Sequence, residues 1–263
     1  MIVFVLGHRG ASADAPENTL AAFHEAVSQG ADGVELDARL CGSGEVVVCH
    51  DQRLDRLAGL DWDVSRTSLW KLRRADVGTR LGFAPAGIPL LQEVIDALPP
   101  HFLINVELKC DGIEDGGLTG RVGELIIERQ VESRAIVSSF NPFCLWRLAE
   151  AHPSIRRGLL IDPDRSFLIQ NAVLAPLVSS HSIHPYQQAC SSERVALWNR
   201  RGWKVAAWTV DDPERALELR SMGVAYCITN RPRRLAQRLR AADRAPGLEV
   251  QAEHRAHQRQ QGY

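Results

Sequence analysis

Short apolar segments typical of strands alternate with amphipathic segments typical of helices along most of the 263-residue sequence. The strand candidates are residues 2–6, 33–40, 46–49, 102–108, 135–140, 157–161, 178–184, 205–210 and 226–229. The helix candidates are residues 19–29, 91–98, 120–129, 142–151, 192–201 and 213–222. Repeated strand–helix units place consecutive strands parallel with helices covering the sheet, so the sequence predicts an α/β fold. This many units favour a closed (β/α)8 barrel of the TIM type over an open sheet.

The nine strand candidates are one too many for an eight-stranded barrel, and one linker explains the surplus. The segment "ARLCGSGEVVVCH" joins the second and third candidates by a Gly-Ser-Gly turn, which is too short for a crossover helix. We therefore expect a hairpin at this point. A turn centred on Ser43 and Gly44 would place Asp37 directly opposite His50 on one face of the sheet.

The pattern predicts one domain, residues 1–239, with a small insertion and a tail. The insertion, about residues 51–89, follows the third strand; it holds Trp62, Trp70 and many arginines but no clear strand. We expect it to be an excursion on the barrel rather than a second core. Residues 240–263 are polar and weakly patterned, which predicts a disordered tail.

The charges of the chain argue against several classes of protein. Its 31 basic and 32 acidic residues are interleaved, so no basic stripe for nucleic acid is evident. No apolar run approaches the roughly 18 residues of a membrane span, and residues 2–6 lack the pattern of a secretory signal. We therefore expect a cytoplasmic protein with neither a membrane span nor a nucleic-acid partner. The sequence gives no indication of its oligomeric state.

Six cysteines are scattered along the chain. No two of them form the Cys-x-x-Cys pair that is common in zinc sites. In a chain of this length the pattern indicates reduced thiols rather than a disulfide framework.

Two strand candidates carry charged residues along one face. In "GVELDARL", Glu35 and Asp37 alternate with apolar residues, and in "FLINVELKC" Glu107 and Lys109 do the same. Helices cover the outside of a barrel, so this charged face must point inward or to the barrel mouth. The three carboxylates offer the hard oxygen ligands that suit Mg²⁺ or Ca²⁺. The residues alone leave open a salt-bridge cluster of these carboxylates with the cations Arg9, Arg39 and Lys109.

Two histidines, His8 and His50, each follow an apolar strand candidate. Barrel active sites gather at the carboxyl ends of strands, and a pair of imidazoles there can take and return one proton. Arg9 and Lys109 beside them are cations suited to a phosphate group. The sequence has no Walker loop, which argues against a nucleoside triphosphate enzyme.

The order of short motifs along the chain resembles that of the glycerophosphodiester phosphodiesterase family. The motifs are "HRG", "PENTL", "VELD", "HD", "ELK", "SSF", "AWTV" and "ITNRP". They run from His8 to Pro232, and the whole set is far more specific than any one of them. The similarity is greatest to the short cytoplasmic bacterial members, and it implies a (β/α)8 barrel with a small insertion after "HD".

The resemblance also implies roles for individual residues. His8 and His50 fall on the catalytic acid–base pair. The divalent-metal ligands correspond to Glu35, Asp37 and Glu107. The residues expected to bind substrate are Arg9, Lys109, Glu17, Asn18, His184 and Trp208. One departure is Asn230, where many relatives have aspartate; it keeps a hydrogen-bond acceptor but loses the charge.

The activity that the resemblance implies is metal-dependent hydrolysis of glycerophosphodiesters, with Mg²⁺ or Ca²⁺ as cofactor. The partner would be a small-molecule glycerophosphodiester, and the products glycerol 3-phosphate and an alcohol. Two alternatives stay open: a phosphodiesterase acting on lysophospholipids or phosphoinositides, and a non-catalytic barrel that binds glycerophosphodiesters. The sequence does not indicate the preferred headgroup, the metal, or which histidine is the acid.

Overall fold

Eight parallel strands close into a barrel in the computed structural model, which describes residues 2–110, 112–162 and 172–244. The described strands are β1 (Phe4–His8), β2 (Gly33–Leu40), β3 (Val46–Val48), β4 (Leu103–Leu108), β5 (Ala135–Ser139), β6 (Arg156–Ile161), β7 (Ser182–Pro185), β8 (Lys204–Ala207) and β9 (Tyr226–Thr229). The ring closes because β1 pairs in parallel with both β9 and β2. The remaining strand, β3, pairs antiparallel with β2. The predicted TIM-type barrel is confirmed.

Helices follow most of the barrel strands and cover their outer faces. The described α-helices are α1 (Leu20–Ser28), α2 (Asp55–Ala58), α3 (Leu69–Leu72), α4 (Leu91–Ala97), α5 (Leu118–Glu128), α6 (Pro142–Ala151), α7 (Ser192–Arg200), α8 (Pro213–Met222) and α9 (Pro232–Arg244). Helices α6 and α8 begin where the sequence predicts, because Asn141 and Asp212 accept hydrogen bonds from the backbone two residues on. A proline follows each of these caps in the first turn.

Strand β2 is buried on both faces, and the alternation of its residues separates the apolar core from the site. Val34, Leu36 and Ala38 are fully buried and pack in the same core cluster as Phe23 of α1. Between them, Glu35 and Asp37 project into the barrel and are also buried, with exposed fractions of 3% and 1%. The outer face of β2 thus packs against the helices, while its inner face carries the charged side chains.

The β2–β3 hairpin forms, but the predicted opposition of Asp37 and His50 is wrong by one residue. The paired residues run from Leu40 opposite Val46 to Ala38 opposite Val48, and the Cys49 N–H donates to the Asp37 carbonyl. The turn is therefore centred on Ser43 alone, with Gly44 in the left-handed region at φ 93°. An odd number of turn residues shifts the register by one relative to a turn centred between two residues.

The insertion has more internal structure than the sequence predicts. Its short helices α2 and α3 and two 3₁₀ turns enclose a small apolar cluster. The fully buried members include Leu54, Val64 and Leu72, and they pack against Val47 of β3. The insertion is thus a small second core built on β3. The prediction missed it because its apolar residues are spaced for single turns and show no sustained period.

The predicted boundary at residue 239 falls inside helix α9, which continues to Arg244. Leu235, Ala236 and Leu239 form a buried stripe at helical spacing against the barrel. Residues 240–244, the last turn of this helix, were predicted as part of the tail because they are polar and weakly patterned. The rest of the predicted tail, residues 245–263, lies outside the described residues.

The prediction of six reduced cysteines is wrong for two of them. Cys110, just after β4, and Cys144, in α6, form a disulfide across a sequence separation of 34 residues. The other four are free and buried. Spacing along the chain did not reveal the pair, because the barrel itself brings the end of β4 beside α6.

No helix in the described part of the chain combines the length and apolarity needed to cross a lipid bilayer.

Candidate active site

A cavity of about 220 Å³ opens at the carboxyl ends of the barrel strands, and most of the predicted site residues line it. They are His8, Arg9, Glu35, His50, Glu107, Lys109 and Trp208. Asn105, Phe140, Leu160, Asp162 and Ile228 complete the wall. This is the end of a parallel barrel where catalytic residues from different strands converge.

The "HRG" turn holds His8 and Arg9 at this rim. Gly10 has φ 86°, and a Cβ there would lie 2.6 Å from the backbone of Ala22 in α1, so only glycine fits. Arg9 itself is left-handed at φ 55°, a conformation that is uncommon outside glycine and concentrates at functional sites. Its carbonyl accepts a hydrogen bond from the Asn18 N–H at 2.9 Å, which ties the turn to the "PENT" segment.

His50 reaches the same cavity by way of the hairpin. The first residues of β2 pair with β1 and its last residues pair with β3. The antiparallel β3 therefore runs back toward the end of β1, where His8 lies. The side chain of Arg39 holds the turn after β3, since its Nε donates to the His50 carbonyl at 2.9 Å.

Three buried carboxylates, Glu35, Asp37 and Glu107, place one oxygen each within 4.8 Å of one another. Strands β2 and β4 align them, because Asp37 is paired in register with Glu107. Burial and the neighbouring Asp37 raise the pKa of Glu35 to about 8. Burial also raises the pKa of Glu107 to about 7, against the pull of Lys109. In the absence of a bound cation, Glu35 and Glu107 thus resist ionisation.

The cluster fits a divalent cation on the chemistry of its own atoms. Glu35 Oε1 and Asn105 Oδ1 are buried at the cavity, with no hydrogen-bond partner among the described residues. Unpartnered buried oxygens are costly, and hard oxygen donors are what Mg²⁺ and Ca²⁺ prefer. A bound cation would favour the ionised form of carboxylates that burial otherwise keeps protonated.

Asp37 is the ionised member of the cluster. Lys109 Nζ lies 3.0 Å from its Oδ1, and Arg9 Nε lies 3.3 Å from its Oδ2. The Asn18 side chain donates to Oδ2 at 2.7 Å. Burial opposes ionisation, but Lys109 and Arg9 outweigh it and hold the pKa of Asp37 well below its usual range. Of the three cations in the salt-bridge cluster that the sequence left open, Arg9 and Lys109 therefore pair with Asp37, whereas Arg39 donates to the His50 carbonyl instead.

A network from the insertion orients His50. Its Nδ1 lies 2.7 Å from Asp51 Oδ1, and Arg56 Nε donates to Asp51 Oδ2 at 2.6 Å. The same guanidinium also donates twice to Glu17, which in turn binds Arg9 at 2.8 Å. Burial opposes ionisation of Asp51, yet hydrogen bonds from Arg56 and His50 hold its pKa below the usual range. Neither Asp51 nor Arg56 was predicted as a site residue. The one sequence signal for them is their position, since Asp51 is the aspartate of "HD" and Arg56 follows it by five residues.

His8 has a neutral partner instead. Its Nδ1 lies 2.7 Å from Asn230 Oδ1, while Asn230 Nδ2 donates to Asp211 Oδ2 at 2.7 Å. This second bond fixes the orientation of the Asn230 amide, so its oxygen accepts the hydrogen bond from His8 Nδ1–H. The other ring nitrogen of His8, Nε2, therefore faces the cavity. Burial lowers the pKa of His8, and Arg9 adds to the effect. The negative charge that Asn230 lacks is supplied by its hydrogen-bond partner, Asp211.

Three predicted substrate contacts lie outside the wall of this cavity. Glu17 binds Arg9 and Arg56, and Asn18 is buried against Asp37. His184 is 1% exposed, and its Nε2 lies 2.8 Å from Ser182 Oγ. The geometry favours a supporting role for all three, while their contact with substrate stays a prediction. Trp208 does line the cavity, and its Nε1–H donates to the His184 carbonyl at 2.8 Å.

Comparison with known proteins agrees with this geometry. Residues 8–234 match the model of the "Glycerophosphoryl diester phosphodiesterase family". A relative from Caldanaerobacter subterraneus, named a glycerophosphodiester phosphodiesterase, is 34% identical over 243 residues, covering 91% of this chain and 99% of its own.

Two solved structures extend the comparison to the fold. An Oleispira antarctica phosphodiesterase in complex with the product sn-glycerol-3-phosphate has a TM-score of 0.82 and 30% identity, covering 90% of this chain and 96% of that one. A glycerophosphodiester phosphodiesterase from Thermotoga maritima has a TM-score of 0.72 and 29% identity, with coverage of 90% and 98%. Both are similar to this chain along nearly its whole described length.

Proposed function

The chain belongs to the glycerophosphoryl diester phosphodiesterase family, and we propose that it hydrolyses glycerophosphodiesters with a divalent cation and a histidine acid–base pair. The products are glycerol 3-phosphate and an alcohol, in keeping with the product bound to the Oleispira antarctica relative. One observation carries the proposal: one cavity is lined by two histidines, two cations and two carboxylates of the cluster, and Glu35 Oε1 has no hydrogen-bond partner among the described residues.

Arg9 and Lys109 bind the phosphate group of the substrate. Both line the cavity, and neighbouring carboxylates outweigh burial and raise their pKa values, so they stay charged. Their attachment to Asp37 fixes them before substrate arrives, which reduces the ordering cost of binding an anion. Glu35, Asp37 and Glu107 would hold Mg²⁺ or Ca²⁺, and the bound ion would supply a Lewis acid that neutralises charge on the phosphate oxygens.

His8 acts as the general base in this proposal. With Nδ1–H donated to the neutral oxygen of Asn230, its Nε2 carries a lone pair toward the cavity. A pKa lowered by burial keeps the ring neutral and able to take the proton of the attacking hydroxyl.

His50 acts as the general acid. Its Nδ1 faces the ionised carboxylate of Asp51, which stabilises the imidazolium form as a neutral amide does not. Burial lowers the pKa of His50 and the charges of Lys109 and Arg9 add to the fall, while Asp37 and Asp51 oppose it. Nε2–H then protonates the leaving alcohol oxygen. The different partners of the two rings thus separate their tasks.

The direct test is release of glycerol 3-phosphate from glycerophosphoethanolamine by the purified protein with Mg²⁺ or Ca²⁺. We expect one glycerol 3-phosphate for each ethanolamine released, measured by coupled enzyme assay and by mass spectrometry. Failure of a folded protein to release either product with either ion would contradict the proposal and favour a barrel that only binds such diesters.

We predict that Arg56→Gln lowers kcat about tenfold, as loss of an orienting partner typically does. The substitution removes the hydrogen bonds of Arg56 to Asp51 and Glu17, so the Asp51 carboxylate that orients the His50 ring is no longer held, and the pH–rate profile shifts with it. Arg53→Gln is the matched control, because Arg53 is an exposed insertion residue paired with Asp55 and Asp61. Partial rescue by Arg56→Lys would support the positioning role, whereas an unchanged kcat in Arg56→Gln would exclude it.

A further inference from the structure

A second cavity, which we call the side groove, adjoins the active-site cavity between the segment after β4 and the start of α6. Its volume is about 760 Å³, and it shares four lining residues with the active site: His50, Glu107, Lys109 and Phe140. The groove therefore begins beside the proposed general acid. A group leaving from the phosphorus on the His50 side enters it directly.

The volumes of the two cavities indicate which part of a substrate each of them can hold. Pockets that enclose drug-sized ligands measure roughly 300–1,000 Å³. The active-site cavity, at about 220 Å³, falls below this range and suits the glycerol phosphate part that all substrates share. The side groove, at about 760 Å³, lies within it. The constant part thus fills the active-site cavity, and the variable alcohol extends into the groove.

The outer part of the groove is apolar. Ile113 and Phe143 line it and are 62% and 48% exposed. Trp146 is 51% exposed and follows Phe143 by three residues on α6, so both lie on the same face of the helix. A single exposed apolar side chain needs no explanation, but a group of them at the edge of a catalytic cavity marks a binding surface.

The charges of the groove disfavour an ammonium headgroup. Arg39, His50 and Lys109 line its inner end. Glu107 is the one carboxylate among the described lining residues, and it lies 2.5 Å from Lys109 Nζ. Among the described lining residues, a choline or ethanolamine group would therefore meet these cations and no carboxylate outside the Glu107–Lys109 pair, whereas a neutral apolar alcohol would meet Ile113 and Phe143.

The two walls of the groove are held together. The Asn141 side chain donates to the Gly112 carbonyl at 2.6 Å, and the Cys110–Cys144 disulfide joins the same two segments. Walls fixed in advance lower the ordering cost of binding.

We propose that the side groove binds the leaving alcohol and selects glycerophosphodiesters whose alcohol carries an apolar chain. This inference rests on the proposed hydrolysis. Ile113 and Phe143 are its specificity-determining residues, and the groove favours neutral alkyl alcohols over ammonium alcohols.

The test is a series of glycerol 3-phosphate diesters of ethanol, butanol, hexanol and octanol, assayed with Mg²⁺ below their aggregation limits. We expect kcat/KM to rise about tenfold from the ethyl to the hexyl diester, because part of the added chain leaves water in the groove. Alkyl alcohols have closely similar leaving-group chemistry, so the rise reports binding of the chain. A flat or falling series would overturn the proposal.

In the double variant Ile113→Ala/Phe143→Ala, the ratio of kcat/KM for the hexyl diester to that for the ethyl diester should fall most of the way to one. Matched controls are Ile2→Ala and Phe4→Ala, which remove exposed side chains at the opposite end of the barrel and should keep the ratio. Thermal melting verifies that each variant is folded. A ratio that survives in the double variant overturns the groove assignment. A folded wild-type protein that hydrolyses glycerophosphoethanolamine but no diester of the series also overturns the groove assignment. A folded protein that hydrolyses neither glycerophosphoethanolamine nor any diester of the series refutes the proposed function itself, so the two failures are distinct.

Discussion

We expect alanine at His8 or at His50 to lower kcat for glycerophosphoethanolamine by about a thousandfold, the scale of a lost general acid or base. Both rings are partly exposed at the cavity, with side-chain exposures of 20% and 34%, so their removal opens no buried void. We therefore expect the melting temperature to stay within about 4 °C of the wild type, which corresponds to about 1 kcal/mol for a domain of this size. The measurements are glycerol 3-phosphate release and thermal melting.

The matched control is His24→Ala, an exposed histidine of α1 outside the site, which should leave kcat unchanged. A second substrate separates the two roles. A diester with 4-nitrophenol as leaving group needs no protonation of the departing oxygen, so it should restore much of the rate of His50→Ala and little of His8→Ala. The reverse pattern would exchange the assigned roles, and a large fall in melting temperature would return either histidine to a structural role.

The sequence predicts the barrel well because each of its elements carries a local signal. The alternation in "GVELDARL" gives the bounds of β2, and the Asn-Pro and Asp-Pro pairs give the first residues of α6 and α8. The same alternation places Glu35 and Asp37 inside the barrel. These signals depend only on neighbours along the chain, so they survive without knowledge of the fold.

What the sequence misses depends on contacts between distant segments. Arg56 reaches Glu17 across 39 residues, and Asn230 reaches His8 across 222. Such partners have no shared period or motif, since only closure of the barrel brings them together. The hairpin register failed for a different reason: a shift of half a residue in the turn centre moves Asp37 from opposite His50 to opposite Cys49.

Removal of divalent cations with a chelator should lower activity more than about a hundredfold, and Mg²⁺ or Ca²⁺ should restore it. The reason lies in the carboxylate cluster, where burial raises the pKa of Glu35 to about 8 and that of Glu107 to about 7. Without a cation these groups are in part protonated, and the phosphate would lose the positive charge that the proposed metal site supplies. Activity that persists in full after chelation would contradict a metal-dependent reaction.

Glu107→Gln separates metal binding from folding. We expect the cation concentration for half-maximal activity to rise at least about tenfold. A buried carboxyl whose folded pKa lies above its unfolded value destabilises the protein at pH values above the unfolded pKa. At neutral pH the metal-free variant should therefore melt at or above the temperature of the metal-free wild type, while added cation should raise the melting temperature of the wild type by more.

Glu128→Gln, which changes an exposed carboxylate of α5, is the control and should alter neither the cation titration nor the shift in melting temperature. If Glu107 served only to pair with Lys109, its replacement would lower stability equally with and without the cation and leave the titration unchanged. If it is a ligand, the loss appears only when the cation is present. The difference between the two melting shifts therefore distinguishes a metal ligand from a salt-bridge partner, even in a variant that retains no activity.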